Sequence, residues 1–375
     1  MAITKIPAAG FTGNNFRNII INGDMSIAQR GTSVTGITGS GYNTLDRMRV
    51  EAGTAGTWTQ TQSTDVPTGQ GFATSLKMDC TTANASLSAS SNLKIQQRLE
   101  GQNLQYIKKG TSSAESTTAS FWVKSNKTGT YICGLRDQDN DRAISKSYTI
   151  SSANTWEKKT ITFARDTTGT LNNDNGESFR IDFHLVAGSN FTSGTLQTSW
   201  GTRVDANRAV GQVNLADSTD NEWYITGVQL EAGTTASDFE FLPVDVNLQR
   251  CQRYFVQFGK NQGVGEAAGD LYGFGITNND NLNSFILIPL PVRMRTAPTS
   301  ITQTGSASDY TLRTVTSDTC TDVPTFSSAT PLNVMVTFKN SGHGFGTAVI
   351  VQGQINSANS FIGVYAELWL LWDTN

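Results

Sequence analysis

The strand-like segment from Ser178 to Val186 carries polar side chains that could bind a ligand. Arg180, Asp182 and His184 alternate there with four apolar residues. Successive side chains of a β-strand point to opposite faces, so we expect these three side chains on one face of a sheet. Charged and imidazole groups of this kind hydrogen-bond to sugar hydroxyls. The row is a candidate glycan-binding surface, although a solvent-facing sheet would show the same alternation.

A second alternating segment, Ser120 to Lys124, places Trp122 and Lys124 opposite Phe121 and Val123. Sugar rings present apolar C–H faces that can stack on aromatic rings. If the two polar rows share one concave sheet, Trp122 and Lys124 would complete a glycan cleft with the first row. The alternative is that Trp122 packs under a loop or at a subunit contact.

Three aspartates, Asp137, Asp139 and Asp141, form a weak calcium candidate in the segment RDQDNDR. Calcium loops use oxygen ligands at alternating positions. This segment lacks the glycine and the distal glutamate of an EF-hand, and Arg136 and Arg142 flank it. A solvated hairpin tip is the competing interpretation, and no other cofactor is predicted.

Nothing in the sequence groups residues for catalysis. The two histidines, His184 and His343, are far apart, and no Gly-x-Ser-x-Gly motif accompanies them. The alternating glycines at 342–346 lack the lysine of a phosphate-binding P-loop. A glycosidase would need paired carboxylates, for which Asp174 and Glu177 are candidates without further support. We therefore predict that the protein is not an enzyme, and a triad assembled from distant segments stays open.

The composition favours short strands and many turns. Charged residues make up 16% of the 375 residues, against about 25% in typical soluble domains, and there are 35 glycines. The net charge of −3 and the lack of a Lys/Arg block argue against nucleic acid as the main binding partner. No apolar run reaches the ~20 residues of a membrane span, so we predict no membrane insertion. The four cysteines lack zinc-site spacing; we predict buried thiols and leave disulfides open.

Strand-like alternation recurs along the whole chain. It begins with Ile19 to Ile21, followed by an Asn22-Gly23 turn, and with Tyr42 to Val50. The segment Leu93 to Tyr106 is ambiguous between helix and strand. The remaining predicted strands are Thr57 to Gln62, Ser75 to Asp79, Thr118 to Lys124, Gly129 to Arg136, Lys146 to Ile150, Glu157 to Ala164, Ser178 to Val186, Leu271 to Ile276, Ser284 to Leu290, Ser300 to Thr304, Val334 to Lys339 and Gly363 to Leu371.

A domain seam is predicted between Trp223 and Phe255. An alternating strand ends there, Pro243 interrupts the chain, and a helix-like run follows. The acidic and aromatic residues 238–241 between them are expected to act as a hinge. We predict a docking arm at 1–15, a β-sandwich at 16–245 and a smaller β domain at 246–375.

Several long motifs resemble those of bacteriophage tail-fibre and other virion appendage proteins, marine phages especially. They are NIIINGDM (18–25), QRLEGQNL (97–104), SFWVKSNKTGTY (120–131), SANTWEKKTITF (152–163), SGTLQTSWGTRVDANRAVGQVNLADST (193–219), GVQLEAG (227–233), CQRYF (251–255), PVRMRTAPT (291–299) and VYAELWL (364–370). The resemblance up to Phe255 covers close to two thirds of the chain.

The resemblance implies an all-β protein, with an N-terminal jelly roll like a carbohydrate-binding module and a smaller C-terminal β-sandwich. It implies a tail fibre or receptor-binding protein that contacts host surface glycans and docks to other virion proteins through residues 1–15. A head-decoration or neck fibre and a polysaccharide depolymerase are the alternatives. It also favours a homotrimer, in which Trp369 and Trp372 would lie in the core or at an interface, and leaves a calcium ion elsewhere in the jelly roll open.

Overall fold

The computed structural model describes residues 16–259, 271–277, 283–303, 305–313, 317–339, 350–355 and 361–367. Every strand pair within these ranges is antiparallel. The strands form four sheets that pack as two sandwiches, and the predicted all-β architecture is confirmed.

The N-terminal sandwich is a jelly roll whose strands alternate between two sheets. In chain order they are β1 (Ser33–Ile37), β2 (Gly41–Tyr42), β3 (Arg49–Gly53), β4 (Thr57–Ser63), β5 (Ser75–Thr82), β6 (Asn92–Glu100), β7 (Thr117–Ser125), β8 (Gly129–Asp137), β9 (Arg142–Ile150), β10 (Glu157–Phe163), β11 (Glu177–Ala187), β12 (Gly201–Thr202) and β13 (Glu222–Ala232). Sheet A has the order β1-β4-β5-β13-β7-β10, and sheet B has the order β12-β9-β8-β11-β6-β3-β2.

The two sheets pack face to face around one apolar core. The rings of Phe121 in β7 and Phe183 in β11 meet edge to face with centroids 5.1 Å apart. Trp58 and Trp223 have no exposed surface, and the same core extends from Ile19 to Leu230. Burying one large apolar side chain stabilises a fold by roughly 1.5–3 kcal/mol, so these alternating positions fix which face of each strand points inward.

The C-terminal domain has its own core between two further sheets. Its strands are β14 (Phe255–Gly259), β15 (Leu271–Thr277), β16 (Asn283–Pro289), β17 (Ile301–Gln303), β18 (Tyr310–Arg313), β19 (Ser317–Thr319), β20 (Thr325–Thr330), β21 (Asn333–Lys339), β22 (Ile350–Ile355) and β23 (Phe361–Tyr365). Sheet C has the order β14-β23-β17, and sheet D has the order β19-β18-β22-β15-β16-β21-β20. Val364 from sheet C and Val336 from sheet D share the buried cluster.

Short helices connect the strands. The α-helices are α1 (Ser189–Thr192) and α2 (Val244–Gln252), and the 3₁₀ turns are Gly101–Asn103, Gln105–Ile107, Asp205–Asn207, Leu215–Asp217 and Ala307–Asp309. Helix α2 follows Pro243, in agreement with the helix-like run predicted there. Cys251 and Tyr254 pack against Ile21 and Ile27 of the N-terminal segment. All four cysteines are buried free thiols.

The predicted strand at Ile19 to Ile21 is wrong, because residues 17–31 form turns and bends. Side chains take the place of a ladder there. The Asn22 side-chain amide donates to the backbone carbonyls of Ile27 and Asp46, and its side-chain oxygen accepts from the Ile27 N–H. The predicted strand 42–50 is instead divided between β2 and β3, and the ambiguous segment 93–106 is a strand, β6, followed by 3₁₀ turns.

Residues 238–241 are packed against the jelly roll instead of spanning a gap between domains. The rings of Phe239 and Phe241 each lie 5.1 Å from that of Phe72. The Glu240 carboxylate accepts hydrogen bonds from the backbone N–H groups of Phe16 and Asn18, at 2.8 and 2.9 Å. These contacts argue against the expected hinge. The domain limits 1–15, 16–245 and 246–375 stay a prediction, with the arm outside the described residues.

Candidate functional site

The outer face of sheet B carries a groove of about 880 Å³. Strands β3, β6, β8 and β11 supply its floor, and the segment from α1 to the 3₁₀ turn at Asp205–Asn207 supplies one wall. The lining residues are Ser40, Arg49, Glu51, Ala52, Gly53, Thr54, Ser90, Asn92, Lys94, Arg136, Arg180, Asn190, Phe191, Ser193, Arg203, Asp205, Ala206 and Arg208. We call this surface the sheet B groove.

Strand register sets the charged rows of the floor. Arg180 in β11 stands opposite Arg98 in β6 and Arg136 in β8, and His184 stands opposite Lys94. The neighbouring residues on each strand belong to the core, so alternation directs these polar side chains to the outer face. The sheet therefore brings together charges from strands that are distant in sequence.

The floor charges are paired with one another. Lys94 Nζ lies 3.0 Å from a Glu51 oxygen and 3.6 Å from Asp182. Arg180 donates to Glu177 at 3.0 Å and to the Gln96 side-chain carbonyl at 3.1 Å. Lys94 and Arg180 are each only 1% exposed. A buried ion is tolerated only with such partners, so these contacts hold the floor side chains in one arrangement.

The pKa values around the groove reflect this pairing. Burial opposes ionisation of Glu51, but Lys94 and Arg180 hold its pKa well below the usual range. Burial likewise opposes ionisation of Asp205, whose pKa Arg208 and Arg203 lower. Both carboxylates in the described lining of the groove are thus ionised at neutral pH.

The structure separates the predicted site residues into two groups. Arg180 lines the sheet B groove, while Asp182 and His184 lie beneath it, each 4% exposed. Trp122 and Lys124 belong to β7 of sheet A, where Trp122 pairs with Lys158 and Thr226.

The predicted single cleft of Trp122 and Lys124 with Arg180, Asp182 and His184 is therefore not formed. Phe121 and Phe183, which alternate with the two rows, meet in the core, so the rows face away from each other. Lys124 instead forms an ion pair with Asp65, and its ammonium lies 4.3 Å from the Tyr224 ring centre. Trp122 is half-buried on that face.

The calcium candidates do not converge on a common point. Asp137 pairs with Lys109, Asp139 accepts hydrogen bonds from Asn172 at 2.8 and 2.9 Å, and Asp141 pairs with Arg203 at 2.8 Å. Within the described ranges, no group of three or more His, Cys, Asp or Glu side chains is placed to hold a metal ion. His343 and the glycines at 342–346 lie outside the described residues.

Sequence reasoning missed most of the groove. Lys94 and Arg136 could have been found, because each alternates with core residues in a predicted or ambiguous strand. Arg203 and Arg208 gave no such signal, since they lie in the irregular segment TRVDANR, and only the fold of that segment over sheet B brings them to the groove.

The fold is a two-sheet jelly roll with a polar groove on one outer face. It is similar to a putative sugar binding protein from Bacteroides thetaiotaomicron, at 10% identity and a TM-score of 0.31, over 57% of this chain and 99% of that one. It is similar to a family 11 carbohydrate-binding module from Clostridium thermocellum in complex with a mixed-linked tetrasaccharide, at 12% identity and a TM-score of 0.26, over 55% of this chain and 98% of that one.

A bacteriophage structure shows the same kind of likeness. The tailspike protein 4 enzymatically active domain of bacteriophage CBA120 is 15% identical with a TM-score of 0.29, over 58% of this chain. The chain spans 21% of the length of that tailspike structure. No protein-family model and no curated protein matches the chain. No described helix is long and apolar enough to cross a membrane.

Proposed function

We propose that this chain is a structural component of a phage virion appendage, a tail fibre or receptor-binding protein, that binds host surface glycans through the sheet B groove without cleaving them. The observation that carries the glycan-binding part is the groove itself. It has a volume of about 880 Å³ and is lined by hydrogen-bonding side chains that ion pairs hold in place. Sugar recognition depends on such preorganised polar groups, because each hydroxyl must replace its bonds to water.

Binding without cleavage is supported by the state of the groove carboxylates. Glycoside hydrolysis needs one carboxylic acid that keeps its proton near neutral pH and a second, ionised carboxylate. The pKa values of Glu51 and Asp205 are both lowered by cationic neighbours, although burial opposes this. Neither group is therefore suited to donate a proton to a glycosidic oxygen. A depolymerase is the alternative, and release of reducing ends from host polysaccharide would establish it.

The virion assignment is supported by the motif resemblance described above, which implies a protein of a phage particle assembled in host cytoplasm. The proposed partners are a host glycan at the groove and other virion proteins at residues 1–15, with three copies of the chain forming the fibre. The segment 1–15 and the tryptophans at 369 and 372 lie outside the described residues. A head-decoration or neck fibre that binds capsid or connector is the structural alternative.

Antibody labelling of intact particles tests the virion assignment. Labelling at the tail tip, and inhibition of host adsorption by the purified chain, are expected for a receptor-binding protein. Labelling confined to the head or neck would favour the structural alternative, and particles without label would contradict the assignment. Analytical ultracentrifugation of the full chain tests the trimer, because a trimer has three times the 40.4 kDa mass of the chain.

A further inference from the structure

The sheet B groove is rich in cationic side chains. Among the described residues its lining includes six, Arg49, Lys94, Arg136, Arg180, Arg203 and Arg208, against two carboxylates, Glu51 and Asp205. Asp182, Glu177 and Asp141 lie nearby and pair with some of these cations. Phe191 is the aromatic residue of the described lining, and the Arg208 guanidinium lies 5.3 Å from its ring centre. The groove therefore offers charge to a ligand more than it offers rings for stacking.

Three arginines of the groove, one from its floor and two from its wall, share two carboxylates. Asp141 lies 2.8 Å from Arg203 and 3.6 Å from Arg136. Asp205 lies 3.0 Å from Arg208 and also pairs with Arg203. The Arg136 Nε is buried and has no hydrogen-bond partner among the described residues. Three guanidinium groups and two carboxylates leave a positive charge in excess, and the three arginine side chains, which line the groove, are 14–25% exposed.

The pKa values of cationic groups in the groove reflect this excess of positive charge. Burial and then the nearby Arg180, Arg203 and Arg208 lower the pKa of Arg136 to about 10. Burial and then Arg208 lower the pKa of Lys94. Placing like charges close together in a partly buried site costs free energy, and an anion bound among them would offset this cost.

We propose, resting on the glycan-binding function above, that the groove selects anionic sugars, with Arg136, Arg203 and Arg208 binding the carboxylate or sulfate groups of an acidic polysaccharide. A guanidinium group presents a planar fork of donors that matches an oxyanion, and charge-assisted bonds of this kind are stronger than those to neutral hydroxyls. Carboxylate and sulfate share this chemistry, so the polymer itself is identified by the probes below.

The test compares charged polymers with neutral forms of the same backbone. Binding of the full chain is measured by affinity electrophoresis and calorimetry with polygalacturonate, its fully methyl-esterified form, dextran sulfate and dextran. We expect binding to the charged member of at least one pair, at least about tenfold tighter than to its neutral partner. We also expect this binding to weaken as sodium chloride is raised, because salt screens exposed charges.

Matched substitutions locate the binding. Arg208→Gln and, separately, Arg136→Gln should each weaken binding of the charged polymer about tenfold. Arg165→Gln makes the same chemical change at an exposed arginine that does not line the groove, and binding should be unchanged. Thermal unfolding of each variant reports whether it folds, and the second groove variant serves if the first does not.

The outcomes separate this inference from the proposed function. Equal binding of charged and neutral polymers, lost on the groove substitutions, would overturn the anionic preference and leave glycan binding standing. Charged binding that survives both groove substitutions would overturn the assignment to Arg136 and Arg208. Host polysaccharide is the further probe if none of the four polymers binds. If the groove substitutions weaken its binding but sodium chloride does not, the anionic preference is wrong. If host polysaccharide does not bind either, the proposed function also fails.

Discussion

Glu367 of the C-terminal domain forms an ion pair with Arg47 of the jelly roll, and each side chain is only 1% exposed. Arg47 also lies over the Tyr254 ring, 3.5 Å from its centre, and Arg30 lies 3.2 Å from the second oxygen of Glu367. Arg295 of the C-terminal domain donates to the backbone carbonyls of Glu367 and of Asn175 in the jelly roll, each at 3.0 Å. The two domains are therefore joined by buried, charge-assisted contacts, which favours one fixed orientation of the C-terminal domain.

We expect Glu367→Gln to destabilise the chain by roughly 3–5 kcal/mol, because it leaves the Arg47 guanidinium buried without a counter-charge. Urea unfolding monitored by tryptophan fluorescence measures the change. The exposed pair Lys339–Asp322, at 3.5 Å, provides the control, and Asp322→Asn should change stability by less than about 1 kcal/mol. Equal small effects of both substitutions would contradict a structural role for the buried pair.

Because of His184 we expect the free energy of unfolding to decrease in acid. Burial and then Lys94 lower its pKa from 6.5 to about 3, against the opposing effect of Asp182, with Arg208 and Glu51 as further neighbours. Below pH 6.5 the unfolded chain takes up a proton at this residue that the folded chain does not. The contribution of His184 to the free energy of unfolding is therefore fully present above pH 6.5. It is lost as the pH falls toward 3, by about 1.4 kcal/mol per pH unit.

The His184→Gln variant should lack this contribution, so the difference between wild type and variant should shrink as the pH is lowered from 7 to 4. Urea midpoints at intervals of one pH unit measure it. A difference that is constant over this range would show that His184 titrates alike in the folded and unfolded chains.

For Asp46 we expect the opposite dependence of stability on pH. Burial raises its pKa from 3.8 to about 7, although Arg30 and Gln29 lower it, and Glu367 adds a further increase. Between pH 4 and 7 the folded chain holds a proton that the unfolded chain has lost. The stability contribution of this group is therefore greatest near pH 4 and is lost as the pH rises through 7. We expect Asp46→Asn to flatten the dependence of the free energy of unfolding on pH between pH 4 and 7. An unchanged dependence would show that the pKa of Asp46 is not raised in the folded chain.

Gly227 is expected to be intolerant of a side chain. Its φ is +61°, and a Cβ placed there would lie 2.5 Å from the Phe72 ring. It lies at the register shift of β13 between Thr226 and Gln229. We expect Gly227→Ala to cost about 1–3 kcal/mol through backbone strain and overpacking. Gly39→Ala, where a Cβ meets nothing within 4 Å, is the control and should unfold at the wild-type temperature.

Trp122→Ala tests the correction of the predicted cleft. Because Trp122 lies on sheet A, glycan binding by the sheet B groove should be unaffected, whereas Arg208→Gln should reduce it. Glycan-array binding with circular dichroism as the fold control measures both. Loss of binding on Trp122→Ala with the fold intact would place a binding surface on sheet A instead.

The amino-acid sequence by itself determined many of the jelly-roll strands and the direction of their side chains. Apolar alternation at Phe179 and Phe183 assigned Arg180 and His184 to an outer face, and the strands at 57–63 and 177–187 lie close to their predicted bounds. This succeeds because burial of alternate side chains is a local requirement of a two-sheet sandwich. Where side chains replaced the ladder, at Ile19 to Ile21, the same reasoning predicted a strand that does not form.

Only the tertiary structure decided which outer face each row occupies. The pairing of β7 with β10 and β13, and of β11 with β6 and β8, joins residues far apart in the chain. The contact of Phe121 with Phe183 then turns Trp122 and Arg180 to opposite sides of the sandwich. Alternation along one strand determines which side chains face the core. Long-range pairing and sheet packing determine which strands lie next to each other. The groove of Lys94, Arg136 and Arg208 is a product of that choice.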